Sequence, residues 1–211
     1  MQIAFLIYEG LTALDIIGPY EVLCRVPEVD VRFVAKRLGE VSVDTRAFSI
    51  RAPHALADVP SPDVFVIPGG MAGTFAAAGD EEILSWVRAA HAHSRFSTSV
   101  CTGSLILGAA GLLKGVDATT HWAARALLES NGAIYTKERV VRRERIVTAA
   151  GVSSGIDMAL LLMAELAGED IARATQLAIE YDPQPPFDSG SPSKAGTKIV
   201  QLALAELQRW A

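Results

Sequence analysis

Short uninterrupted apolar runs alternate along this chain with segments whose apolar residues recur every three to four positions. Residues 3–8, Ile-Ala-Phe-Leu-Ile-Tyr, read as a buried strand. Residues 18–25 read as a short helix with Pro19 in its first turn. Residues 29–36 form a second strand pattern, and residues 63–67 a third, ended by Pro68-Gly69-Gly70. Ile83, Leu84, Val87 and Ala90 give residues 81–92 helical spacing. Residues 96–100 form the strand before a cysteine, and residues 102–113, apolar nearly all round, predict a buried helix. Residues 122–130 predict a helix closed by Asn131-Gly132. Val140-Val141 and Ile146-Val147-Thr148 flank Arg142-Arg143-Glu144-Arg145, the pattern of a hairpin with a charged, solvated tip. Residues 155–167, 171–180 and 198–210 read as helices, with a proline-rich loop at 182–186.

Strands alternating with helices predict an α/β fold with a mostly parallel sheet covered on both faces. No repeat or linker divides the chain, so residues 1–211 are expected to form a single domain. In such sheets ligands bind beyond the carboxyl ends of the strands. Three loops leave strands at that edge: residues 9–17, residues 68–74, and the turn at Cys101. Asp15, the Gly69-Gly70 backbone and Cys101 are therefore expected in one crevice.

Composition narrows the class. Half of the 211 residues are hydrophobic and 20% are charged, which is globular rather than disordered. A net charge of −5 argues against a nucleic-acid partner. No apolar run reaches membrane-spanning length, and the N-terminus lacks the basic start of a signal peptide. Two cysteines make no disulfide framework, so a reducing cytoplasm is expected.

Cys101 is the candidate nucleophile. It sits where a β-type run meets an apolar helical run, with Gly103 two residues on, the layout of a nucleophile elbow. A free thiol with pKa about 8.5 is about 3% ionised at neutral pH; lowered to about 6 by a helix start it would be about 90% ionised. Asp15, between Leu14 and Ile16, reads as a buried acid. Beside Cys101 the two would titrate as a unit, the carboxyl pKa raised and the thiol pKa lowered. Gly69-Gly70 reads either as a tight turn or, with Thr102, as a source of N–H groups for a negative centre. His121 reads either as a neighbour of the thiol or as a hydrogen-bonded core histidine. His91 and His93 are two apart on a predicted helix and share no face, so no metal role is expected. Cys24 reads as inert core. Gly151-Val152-Ser153-Ser154-Gly155 leads into a helix and is placed to line the crevice.

These motifs carry a family likeness. Ser99-Val100-Cys101-Thr102-Gly103-Ser104-Leu105, Ala118-Thr119-Thr120-His121-Trp122, Leu14-Asp15 with Gly18-Pro19, Ile67-Pro68-Gly69-Gly70, Gly155-Ile156-Asp157 and Pro185-Pro186-Phe187 follow in order over most of the chain. Together they resemble the PfpI-type branch of the class I glutamine amidotransferase-like superfamily. The resemblance implies a flavodoxin-like three-layer sandwich, a homodimer and no cofactor. It implies a small-molecule isocyanide as substrate, hydrated to an N-substituted formamide. Cys101 and Asp15 would be catalytic, with Thr102, Gly69, Gly70, Val152 and His121 orienting or lining the pocket. Proteases of the superfamily follow the cysteine with histidine, where this chain has Thr102. Glyoxalase and deglycase relatives use a glutamate near the first strand, where this chain has the shorter Asp15. Ligand- or redox-sensing relatives and glyoxalase-type enzymes are the alternatives. Sensor relatives continue into a DNA-binding region, and no basic recognition-helix segment is evident here.

Overall fold

The computed structural model of the chain describes residues 1–208. In chain order, the first half holds β1 (Gln2–Leu6), α1 (Ala13–Leu23), β2 (Asp30–Ala35), β3 (Gly39–Ser42), β4 (Ser49–Ala52), β5 (His54–Ala55), β6 (Val64–Ile67), α2 (Ala72–Ala78), α3 (Glu81–His93) and β7 (Phe96–Val100). The second half holds α4 (Gly103–Ala109), β8 (Asp117–Ala118), α5 (Arg125–Ser130), β9 (Ile134–Tyr135), β10 (Val140–Arg143) and β11 (Ile146–Ala149). It closes with α6 (Ser154–Ala167), α7 (Glu169–Ala178) and α8 (Pro192–Leu207).

A seven-stranded sheet runs in the order β10-β11-β7-β6-β1-β2-β5. All its pairings are parallel except the β10–β11 hairpin. β6 and β7 are buried along their whole length, and β1 from its second residue, as strands sandwiched between helices must be. Their register places Phe5 beside Phe33 and Val66, and Val66 beside Thr98. β7 carries polar Ser97, Thr98 and Ser99 into this core. Two of them are satisfied locally: Thr98 Oγ1 donates to the Phe65 carbonyl at 2.9 Å, and Ser97 Oγ pairs with His91 Nδ1 at 2.8 Å.

From β1 the chain crosses to β2 on one side, and from β6 it crosses to β7 on the other. Right-handed crossovers in opposite directions put their helices on opposite faces of the sheet. Accordingly α1 packs with α6, and α6 with α7, while α2, α3, α4 and α5 form a second packed group. α1 and α6 cross closely: a Cβ on Gly18 would lie 3.0 Å from Ile156, and one on Gly155 3.0 Å from Pro19. This is the expected α/β flavodoxin-like sandwich.

Several boundaries differ from the sequence pattern. α1 starts at Ala13, so Asp15 lies in its first turn and Pro19 inside it. Proline there leaves the Asp15 carbonyl without its helical N–H partner, a loss of one bond that the helix tolerates. The predicted 102–113 helix ends at Ala109, because Gly111 turns the chain at φ +85°. The predicted 122–130 helix is a 3-10 turn, Trp122–Ala124, followed by α5. α8 starts at Pro192, with a break at Gly196, and Trp210 of the predicted helix lies outside the described residues. Cys24 is half-buried at the end of α1 rather than core. Among the described residues no helix is long and apolar enough to cross a membrane.

Candidate active site

Because crossovers leave β1 and β6 in opposite directions, the crevice of this sheet opens between their carboxyl ends. The predicted crevice residues meet there. The Gly69 N–H donates to Asp15 Oδ2 at 2.7 Å, and the Thr12 N–H to the Gly69 carbonyl at 2.8 Å.

Cys101 stands at the end of β7 with φ +57°, in the left-handed region that side chains avoid. Its backbone is pinned there from both sides. The amide donates to Ala149 and Ala150 carbonyls at 3.1 and 2.8 Å. Its carbonyl accepts Thr120 Oγ1 at 3.1 Å and Ser104 Oγ at 3.3 Å. The elbow also needs Gly103, since a Cβ there would sit 2.4 Å from the Ile67 carbonyl oxygen. A strained backbone held by four hydrogen bonds is the signature of a positioned side chain. The Thr102 and Val152 amides and the Thr102 hydroxyl favour the ionised form of the thiol.

Asp15 is fully buried. Burial pushes its carboxyl up to about 8, with the Asp44 charge adding to the rise; the Gly69 amide and the Cys101 thiol pull it down. At neutral pH the group is therefore mostly a carboxylic acid. Its Oδ1 has no hydrogen-bond partner among the described residues. The carboxyl half of the sequence expectation holds. The thiol half does not: burial first, then the Asp15 charge, pushes the Cys101 thiol above its ordinary value, and the neighbouring amides only partly offset this. α4 starts two residues later, but its amides act on a buried sulfur whose lost hydration outweighs them.

Gly69 and Gly70 need to be glycine for a different reason than an oxyanion hole. Both amides are already used, Gly69 on Asp15 and Gly70 on Thr102 Oγ1 at 3.1 Å. A Cβ on Gly69 would lie 2.6 Å from Thr102 Oγ1 and 2.9 Å from Asp15 Oδ2. This turn clamps the acid and the threonine together. Thr102 is held further by residues the sequence did not single out. Its hydroxyl lies 2.9 Å from Thr74 Oγ1, which lies 3.1 Å from the Tyr8 hydroxyl, which donates to the Pro68 carbonyl at 2.7 Å. All three hydroxyl residues are buried. A threonine in an alanine-rich stretch and a tyrosine ending an apolar strand give no sequence signal of this chain of contacts.

Beside the elbow lies an open groove of about 1040 Å³, walled by Leu14, Thr120, His121, Trp122, Val152 and Phe187 among others. Val152 thus lines the groove while its amide favours the ionised thiol. His121 hydrogen-bonds neither Cys101 nor Asp15; its Nδ1 accepts the Ala123 N–H at 3.4 Å, and burial lowers its pKa, keeping the ring neutral. Among the described residues no group of three or more His, Cys, Asp or Glu is placed to hold a metal ion.

A buried carboxylic acid next to an elbow thiol can supply a sulfur nucleophile and a proton to the same small molecule. Known proteins carry the same arrangement of sequence and fold. The model of the DJ-1/PfpI family matches residues 1–165. An isonitrile hydratase from Pseudomonas putida is 47% identical over 203 residues, covering 96% of this chain and 88% of that protein. A THiJ/PfpI family protein from Pseudomonas syringae superposes with a TM-score of 0.94 at 40% identity, covering 99% of this chain and 86% of that one. Schizosaccharomyces pombe DJ-1 shares the fold at 20% identity, with a TM-score of 0.74 over 88% of this chain and all of that one.

Proposed function

This chain belongs to the DJ-1/PfpI family, and from that premise we infer that it is an isocyanide hydratase with Cys101 as nucleophile and Asp15 as general acid and base. The observation that carries the mechanism is a fully buried carboxyl, raised to about 8, against a buried elbow thiol. The near-full-length likeness to a protein named as an isonitrile hydratase supports the substrate class.

The pair enters the reaction with one proton between the two groups. Sulfur attacks the terminal carbon of R–N≡C, and the Asp15 proton goes to that carbon. This forms one S–C and one C–H bond and gives the thioimidate R–N=CH–S–Cys101. Water then adds to the same carbon and gives one proton to the Asp15 carboxylate, whose unpartnered Oδ1 is free to take it. Its second proton goes to nitrogen as the C–S bond breaks. R–NH–CHO leaves, and thiolate and carboxylic acid are restored. Thr102 and the Gly69-Gly70 turn orient the two groups, and Val152 and His121 wall the space for the R group.

The enzyme works as a homodimer. α8 has no buried residue and exposes Leu202 at 57%, a face that a second copy would cover. Two unpaired cysteines fit a reducing cytoplasm, and the single domain 1–211 needs no cofactor for the steps above.

The test is an aryl isocyanide assay followed by formamide formation. Wild type produces formamide, Cys101→Ala does not, and Asp15→Asn nearly does not. Full turnover in either variant overturns the mechanism. Inertness of the wild type to isocyanide, with lactate formed from methylglyoxal, overturns the substrate class.

A further inference from the structure

The arm that follows α7 hangs from one residue. Tyr181 comes just after a turn in which Glu180 takes φ +52°. Its N–H donates to the Gln176 carbonyl at 3.0 Å, and its carbonyl accepts Gln176 Nε2 at 3.1 Å. Its hydroxyl donates to Asp157 Oδ1 on α6 at 3.0 Å. Asp157 is held in turn by Arg139, whose guanidinium also donates to Ser153 Oγ at 3.1 Å. Beyond this point, among the described residues, no hydrogen bond or ion pair joins residues 183–208 to any residue before Asp182. α8 buries none of its residues. Yet Pro185 and Phe187 of this arm stand in the wall of the groove beside the elbow, with Phe187 largely exposed.

The segment between anchor and wall is stiff. Residues 182–186, Asp-Pro-Gln-Pro-Pro, are each a proline or the residue before one. Proline fixes φ, and the residue before it is confined to extended backbone. Such a segment advances about 3 Å per residue with little bending, so the direction set at Tyr181 is carried to Phe187. The bonds to Gln176 hold only the backbone of the turn; the bond to Asp157 ties it to α6. We propose that Tyr181 and Asp157 are positioning residues for the R group of the substrate: their hydrogen bond latches the proline arm so that Phe187 stands as an aromatic wall of the groove, and the site thereby favours isocyanides with a large, flat, apolar R group. Leu14, Trp122 and Val152 supply the rest of that apolar lining. Neither Tyr181 nor Asp157 hydrogen-bonds Cys101 or Asp15, so the latch acts on binding and leaves the chemical steps alone.

The proposal rests on the proposed hydration, so its test pairs turnover with a binding measurement that needs no isocyanide. KM and kcat are compared for 2-naphthyl isocyanide and methyl isocyanide, and the two formamides they would yield are titrated into the full chain by calorimetry. Wild type is expected to bind N-(2-naphthyl)formamide more tightly than N-methylformamide. Tyr181→Phe keeps the ring and removes the donor. It is expected to raise KM for the naphthyl substrate about two- to fivefold and to weaken the naphthyl formamide by the same factor, with kcat and both methyl compounds unchanged. Phe187→Ala removes the wall itself and acts in the same direction, by about five- to twentyfold. Asp157→Ala matches Tyr181→Phe, and the double variant binds no more weakly than the weaker single one. Thermal melts and sedimentation report folding and assembly. Unchanged naphthyl constants in Tyr181→Phe, equal losses for the methyl and naphthyl compounds, a lowered kcat, or a loss that appears only with altered sedimentation each overturns the latch. A naphthyl preference that responds to these variants in a chain that turns over no isocyanide keeps the latch and overturns the hydration instead.

Discussion

Asp15→Asn separates the chemistry of the acid from its cost to the fold. In the folded chain the carboxyl is raised to about 8 from an ordinary value of 3.8. Between those values the folded state holds a proton that the unfolded state has released. Stability therefore falls as pH rises through this window, by about 1.4 kcal/mol per unit from this group alone. By pH 7 the loss is about 4 kcal/mol, and above pH 8 it levels off near 6 kcal/mol. That is a large fraction of the 5–15 kcal/mol that holds a typical domain together. Asparagine has the shape of the protonated acid and its oxygen can still accept the Gly69 N–H, but it has no proton to lose. Its NH2 group at the unpartnered Oδ1 position carries a penalty of about 1–3 kcal/mol that does not vary with pH. Urea-unfolding free energies of wild type and Asp15→Asn, measured from about pH 5 to about pH 8, are the assay. The difference between them is expected to shift in favour of the variant by about 1.4 kcal/mol per unit. The inactive protein becomes the more stable one as pH rises. A difference that stays flat across this range would show that Asp15 is ionised in the fold and would refute the neutral-acid reasoning.

Further outcomes follow from the same geometry. kcat/KM is expected to rise with pH through about 8, because the doubly protonated pair must lose one proton to react; a flat profile across that region in a steady-state assay contradicts this. Gly69→Ala pushes a Cβ to within 2.6 Å of Thr102 Oγ1. It is expected to cost about 1–3 kcal/mol of stability by urea unfolding and most of the turnover. Cys101→Gly is expected to exceed Cys101→Ala in stability by about 1 kcal/mol, since glycine accepts the positive φ without strain. Leu202→Glu on the exposed face of α8 is expected to yield monomers by analytical ultracentrifugation, and wild type to sediment as the proposed dimer.

The parallel core was legible because β1 and β6 are buried on both faces and so read as short apolar runs. The rule that ligands bind at the carboxyl edge predicts Asp15, Gly69 and Cys101 in one crevice, and the Gly69–Asp15 hydrogen bond joins the first two. What failed was local. Pro19 pulled the expected start of α1 five residues too late, because proline favours a first turn but is tolerated later when only one hydrogen bond is lost. α2 is nearly all alanine and glycine with one threonine and one phenylalanine, so it shows no apolar face. The β3–β4 hairpin mixes glycine, serine and charge in four-residue strands too short to show alternation. The thiol's protonation was misjudged because a sequence shows the helix start but not the burial that opposes it. The Tyr8–Thr74 contacts were invisible because hydroxyls acquire meaning only from what they face.

The left-handed backbone at Cys101 has a consequence for lineages rather than for turnover. A side chain kept at φ +57° is kept against a standing pressure toward glycine. A chain of this fold that no longer needs the chemistry is therefore free to carry glycine here, and gains stability by doing so.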